Sequence, residues 1–279
     1  MLYLFDSKIY DLCQDRRCEA GESNKSSTSP LHSSPYVGRK RRIKAKAMSG
    51  AKSPRSAEQP FLGSRGDVSQ GRDKSVALKP FIGSALLAQA GLLVIIASVW
   101  GGILSHKLLF FSPHPLLNSA SILLFSEAIL FLQPTHTVQQ KARATRIHAI
   151  LNGMALMSFL VAFATIYINK GDHPHFRSAH ARAGLVFYIE IIHQTLVGLS
   201  LYWFPQMFGG AAFARKIYKY HRISGYVLLL LSLTVTMLAT RTDYIKRSIG
   251  IRLWVIAIGS VLLAAGIGSR IKKNKVKLF

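Results

Sequence analysis

The chain has 279 residues, 49% of them hydrophobic, and carries 36 Lys/Arg against 12 Asp/Glu for a net charge of +24. Residues 80–279 hold 20 of the basic residues but only four acids, Glu127, Asp172, Glu190 and Asp243. That is too few acids to solvate a soluble domain of this size. The basic residues cluster between long apolar runs, which points to a lipid bilayer and away from nucleic acid as the partner.

Residues 1–79 carry sixteen Lys/Arg and eight Asp/Glu and read as a disordered, basic, cytosolic tail. Met1 to Tyr10 is too short and mixed for a secretory leader. Cys13 and Cys18 have only His32 nearby, so neither a zinc site nor a disulfide framework is expected. Met48 could open a shorter product, which leaves the status of residues 1–47 to N-terminal peptide mapping.

From residue 80 onward six apolar segments follow, at about 82–104, 115–132, 145–168, 183–204, 223–240 and 249–268. Each approaches the twenty or so helical residues that cross a hydrocarbon core of about 30 Å. The expected fold is an all-α membrane protein of six transmembrane helices, sequential ones antiparallel because the loops are short. The connection between the second and third segments carries Lys141, Arg143 and Arg146. That between the fourth and fifth carries Arg215, Lys216, Lys219 and Arg222, and the C-terminus adds Arg270, Lys272, Lys273, Lys275 and Lys277. The opposite side has Lys107, Lys170, Arg177, Arg182, Arg241, Lys246, Arg247 and Arg252. The first set is larger and the basic tail joins it, so both termini are expected in the cytosol.

Nine of the ten histidines fall within residues 106–221, and four stand at the opening of an expected helix: His114, His148, His180 and His221. Alternating helix direction puts His114 and His180 at one depth near the outer face, and His148 and His221 at one depth near the inner face. Any single one of them could be an interfacial anchor. Four at matching depths on alternating helices suit two haems, each held between facing imidazoles of a four-helix core. Gly184 and Gly225 lie four residues after His180 and His221, on the same helix face, where a missing side chain leaves room for a porphyrin edge. Asn118 holds the same place after His114. Two imidazoles saturate an iron, so such haems favour electron transfer over oxygen chemistry. The alternatives are a histidine-lined pathway for metal ions or protons, and a cytochrome b subunit exchanging electrons with quinone.

These residues resemble the eukaryotic cytochrome b561 family, in particular its short branch without a fused extracellular domain. The resemblance spans roughly residues 85–270. It rests on Leu109-Phe110-Phe111-Ser112-Pro113-His114-Pro115, on Ser126-Glu127-Ala128, on Arg146-Ile147-His148, on His175 with His180, and on Tyr220-His221 followed by Ser224-Gly225. It implies a transmembrane oxidoreductase with two b haems, one on His114 and His180, the other on His148 and His221. Electrons would pass from cytosolic ascorbate to monodehydroascorbate or a ferric chelate on the far side. Arg146 and Arg215, with Lys141, Arg143 and Lys216 beside them, would hold the ascorbate anion. His175 would face the acceptor, with His173 close by. The same basic residues would also satisfy the ordinary inward bias of positive charge. Glu127, an intramembrane acid, could exchange a proton; Glu190 and His193 could simply pair across one turn. The organelle (endomembrane, vacuole or plasma membrane) and a homodimer are left open.

Overall fold

The computed structural model describes residues 75–133, 135, 137–271 and 276. Residues 1–74, including Cys13, Cys18, His32 and Met48, lie outside the described residues. So do His136 and the C-terminal lysines 272, 273, 275 and 277. The described chain forms six α-helices: α1 (Ala85–Leu104), α2 (Pro113–Leu132), α3 (Val138–Lys170), α4 (Ala179–Trp203), α5 (Ala211–Ala239) and α6 (Leu253–Gly268). The first five are long and apolar enough to cross a membrane. Helix α6 is equally apolar but has 16 residues, or about 24 Å, short of the roughly 30 Å core.

Local chemistry explains the helix ends. Pro113 opens α2, where its missing N–H costs nothing. The side chains of Thr137 and Ser178 accept from the backbone N–H of Gln140 and Ala181 and cap α3 and α4. Gly250, at φ 75°, and the extended Arg252 hold back the start of α6, which therefore begins at Leu253 instead of the expected 249.

Two helices overrun their expected bounds on the inner side. Helix α3 begins at Val138 rather than 145, and α5 at Ala211 rather than 223. His148 and His221 therefore do not open their helices but lie ten residues inside them. Lys141, Arg143 and Arg146, and Arg215, Lys216, Lys219 and Arg222, stand on helical extensions, not in loops. The reason is propensity: Ala, Lys, Arg and Gln are good helix formers, so the helix continues past the point where hydropathy falls. At 33 and 29 residues these helices reach about 50 and 44 Å, longer than the hydrocarbon is thick.

The helices associate as pairs: α2 with α3, α1 with α6, and α4 with α5. Small residues let α1 and α6 touch backbone to backbone. A Cβ on Gly91 would stand 2.4 Å from the Gly259 carbonyl oxygen, and one on Gly266 would stand 2.4 Å from the Ala88 nitrogen. The buried core runs through all six helices, with Phe125, Phe159, Phe187 and Tyr188 at its centre.

The boundary before α1 also differs from the sequence reading. Residues 76–79 belong to a 3₁₀ turn, Val76–Phe81, that is packed onto the bundle. Lys79 is fully buried there and donates from Nζ to the Phe131 carbonyl, 3.4 Å away. Arg270, just past α6, donates to the carbonyls of Lys79, Ile82 and Gln133, binding this turn to the end of α2. Burial, and then the Arg270 charge, bring the Lys79 ammonium down to about 7.

Candidate functional site: two imidazole pairs in the bundle

The four histidines come together two by two. At the outer end, His114 of α2 and His180 of α4 face one another with ring centroids 6.3 Å apart and planes at 88°. His114 Nδ1 lies 3.0 Å from the Ala162 carbonyl on α3, and His180 Nδ1 lies 3.0 Å from the Val235 carbonyl on α5. A carbonyl can only accept, so each Nδ1 carries the hydrogen and donates. That fixes the tautomer and leaves Nε2 with a free lone pair.

At the inner end, His148 of α3 donates from Nδ1 to the Ala128 carbonyl on α2, at 3.0 Å. His221 of α5 lies close enough to interact with it electrostatically. Its Nδ1 is buried without a hydrogen-bond partner, unlike the other three. The two pairs are separated by the apolar core around Phe159, Phe187 and Tyr188, whose rings meet at 5.0 to 6.1 Å.

The donor set suits an iron porphyrin. Two imidazoles bound to one ion at about 2 Å each place their ring centres roughly 6 Å apart, and the outer pair stands at 6.3 Å. A cavity of about 550 Å³ opens between its rings, lined also by Asn118, Gly184, Phe163 and Tyr188. That is a size typical of cofactor pockets. At Gly184 a Cβ would meet only Val235, at 3.8 Å, so the wall there is open. Among the described residues no group of three His, Cys, Asp or Glu forms a bare metal-ion site.

The flanking residues divide differently than spacing alone suggests. Asn118 donates from Nδ2 to the His114 carbonyl, at 2.7 Å, and accepts from the Tyr188 hydroxyl, at 2.8 Å. Asn152 makes the matching bond to the His148 carbonyl, at 2.7 Å. It stands four residues after its histidine, so the same spacing that marks Asn118 marks it too. Gly225 does not face open space: a Cβ there would stand 3.1 Å from Gln194 Nε2. Gln194 donates to the His221 carbonyl, at 2.6 Å, and accepts from Ser224 Oγ, at 2.7 Å. The glycine that makes room for an imidazole is Gly198, whose absent Cβ would lie 2.8 Å from His221 Cε1. No local pattern marks Gly198 or Gln194, since both act across the α4–α5 contact.

The remaining sequence-predicted residues fall at the two ends. Arg146 and Arg215 are half-buried, whereas Lys141, Arg143 and Lys216 are exposed on the helical extensions. Glu127, one residue before Ala128, accepts from the Gln89 amide of α1, which also donates to the Pro80 carbonyl. His175 stacks on Tyr167 with centroids 4.5 Å apart and lines the outer cavity, whereas His173 is exposed. Glu190 and His193 pair with each other at 3.6 Å on the outward face of α4, away from both imidazole pairs.

The family model for eukaryotic cytochrome b561 matches residues 113–247, which contain all four histidines. The transmembrane ascorbate-dependent reductase CYB561 of Homo sapiens is 26% identical over 170 residues, and so is that of Pongo abelii; that of Sus scrofa is 25% identical. The matched region is 60% of this chain and spans 65% of the length of these relatives. No solved structure gives a significant match. The family match runs from α2 to the turn after α5 and takes in both imidazole pairs, so this part of the chain is similar to the eukaryotic cytochrome b561 family.

Proposed function

We propose that the chain carries electrons across a membrane over two b haems, His114 with His180 holding the outer one and His148 with His221 the inner one. The observation that supports this most is the outer pair: facing imidazoles, each tied through Nδ1 to a neighbouring helix, with both Nε2 atoms free. The haems, once bound, would supply reversible one-electron iron chemistry with no open coordination position. The protein's own part is to fix ring orientation, exclude water from the apolar layer between the pairs, and hold substrates at either end.

On the inner side, the α3 and α5 extensions bring Arg146 and Arg215 toward the membrane face, with Lys141, Arg143 and Lys216 around them. Ascorbate is a monoanion at neutral pH, and such a cationic face concentrates and orients it. The relatives' name, ascorbate-dependent reductase, favours this donor. Glu127, beside the Ala128 carbonyl that anchors His148, is placed to receive the proton that ascorbate releases on oxidation. Monodehydroascorbate or a ferric chelate would take the electron on the outer side near His175, with both termini in the cytosol.

The test is a reduced-minus-oxidised optical spectrum of the purified chain, with haem counted per polypeptide. Two low-spin haems, both reducible by ascorbate, are expected. A colourless protein would favour an ion pathway. Haem indifferent to ascorbate, with a co-purifying partner, would favour a quinone-linked subunit.

A further inference from the structure

The four histidines repeat one arrangement, and the repeat is incomplete at a single place. On α2, the Ala128 carbonyl that anchors His148 stands fourteen residues after His114. On α3, the Ala162 carbonyl that anchors His114 stands fourteen residues after His148. On α5, the Val235 carbonyl that anchors His180 stands fourteen residues after His221. Fourteen residues are just under four turns and about 21 Å, so ligand and anchor share one helix face at opposite depths. Two antiparallel helices built this way serve each other reciprocally. The α2–α3 pair makes both bonds. The α4–α5 pair makes one, because His221 Nδ1 has no partner. The residue fourteen positions after His180 on α4 is Gln194.

A second pattern meets at the same residue. Asn118 and Asn152, each four residues after a histidine, donate to the carbonyls of His114 and His148, both at 2.7 Å. Four residues after His221 stands Gly225, which has no side chain to do this. The Gln194 amide does it from α4, donating to the His221 carbonyl at 2.6 Å. Its Nε2 lies 3.1 Å from where a Gly225 Cβ would stand, so the glycine admits the amide. Ser224 Oγ, donating to Gln194 Oε1 at 2.7 Å, fixes which end of the amide meets that carbonyl. Gly198, against which the His221 ring packs, is one turn further along α4. The ring therefore rests beside the turn that Gln194 opens.

We infer that Gln194 is the positioning residue for His221. Its backbone carbonyl is the fourth anchor, engaged by Nδ1 when the inner haem is held, and its amide keeps α5 at the depth where that bond forms. The inference rests on the haem-ligand reading above and deepens it by adding a residue that acts on a ligand without touching the iron. A buried N–H without an acceptor is costly, and an imidazole whose second nitrogen donates is both fixed in tautomer and a more basic ligand.

Two measurements on the full-length, haem-loaded protein test this. In its crystal structure, His221 Nδ1 should lie within about 3.2 Å of the Gln194 carbonyl oxygen. An Nδ1 left unbonded, or bonded to another acceptor, would overturn the inference. In the second, Gln194→Met keeps the length of the side chain and removes both amide bonds. The inner haem, identified as the signal lost in His148→Ala, should bind at least about tenfold more weakly. Its reduction equilibrium should shift toward Fe(II), because a less basic ligand favours the ferric ion less, and its electron paramagnetic resonance g values should move with ring orientation. The outer haem should keep its affinity, potential and g values. Should Gln194→Met fail to fold, Ser224→Ala, which loosens the amide alone, should move the same inner-haem signals in the same direction by less. Inner-haem signals that stay in place, or two haems weakened alike with unchanged potentials, would reduce Gln194 to a packing residue and sink the inference while the proposed function stands. A colourless wild-type chain would remove both.

Discussion

The imidazole of His221 on α5 lies against Gly198 on α4, where a Cβ would stand 2.8 Å from Cε1 and 3.3 Å from Nε2. No such contact restrains the other three histidines through a glycine. His221 is also the one whose Nδ1 has no hydrogen-bond partner. Its ring is therefore set by packing, where the rings of His114, His148 and His180 are set by a bond to a backbone carbonyl.

Gly198→Ala should accordingly turn or expel the His221 ring while leaving the outer pair intact. The expected result is loss of most of the inner haem, with about one haem per chain remaining, and at least a tenfold slower reduction by ascorbate. Overpacking of this kind costs about 1–3 kcal/mol, so the protein should still fold. Haem quantification and the optical spectrum of the variant check this; two haems at full occupancy would contradict it.

The ligand histidines should separate into two phenotypes. His148→Ala or His221→Ala should remove the inner haem and slow ascorbate reduction. His114→Ala or His180→Ala should spare that first reduction and block delivery to an acceptor on the other side. Stopped-flow reduction of protein in sealed vesicles distinguishes the two, and equal effects of all four on inner-haem reduction would refute the pairing.

The α1–α6 contact should matter for stability and not for haem. A Cβ on Gly91 would meet the Gly259 carbonyl oxygen at 2.4 Å and the Leu263 nitrogen at 2.5 Å, all backbone and unable to yield cheaply. Gly91→Ala should cost about 1–3 kcal/mol and lower the Tm by several degrees. The haem spectrum at 20 °C or so should be unchanged, since neither helix supplies a histidine.

Lys79 predicts a pH dependence of folding. Its ammonium, near 10.5 when exposed, is brought down to about 7 in the fold, by burial first and by Arg270 second. The unfolded chain thus holds the extra proton between about pH 7 and 10.5, so stability rises with pH across that window and is lowest below it. The burial penalty is of the order of a few kcal/mol. Lys79→Met keeps the bulk and removes the charge. It should raise the Tm near pH 6 and flatten its climb toward pH 10, as measured by thermal unfolding in detergent. A parallel pH profile for the two proteins would mean that Lys79 is not the titrating group.

Asn118 links His114 to Tyr188. Tyr188→Phe removes a hydroxyl whose partner Asn118 can still donate to the His114 carbonyl, and should cost about 1 kcal/mol or less. Asn118→Leu leaves the buried Tyr188 hydroxyl without a partner and should cost about 1–3 kcal/mol. Chemical unfolding of the two variants and their double checks the order; a double no worse than Tyr188→Phe alone would show that the asparagine acts only through that hydroxyl.

Hydropathy and histidine spacing alone were enough to predict an all-α membrane protein and to group His114 with His180, and His148 with His221, by depth. The physical reason is that a bilayer constrains a helix to roughly one length and one polarity, so position along the chain converts directly to depth. The same logic failed at the inner ends of α3 and α5. Hydropathy reports where the hydrocarbon stops and not where the helix stops, and Lys- and Arg-rich segments remain helical beyond that edge. The contacts between helices were decided only by the tertiary structure. Gly198 makes room for His221, Gln194 occupies the space beside Gly225, and Lys79 and Arg270 close the inner end together, because each of these depends on a neighbour that the linear chain places tens of residues away.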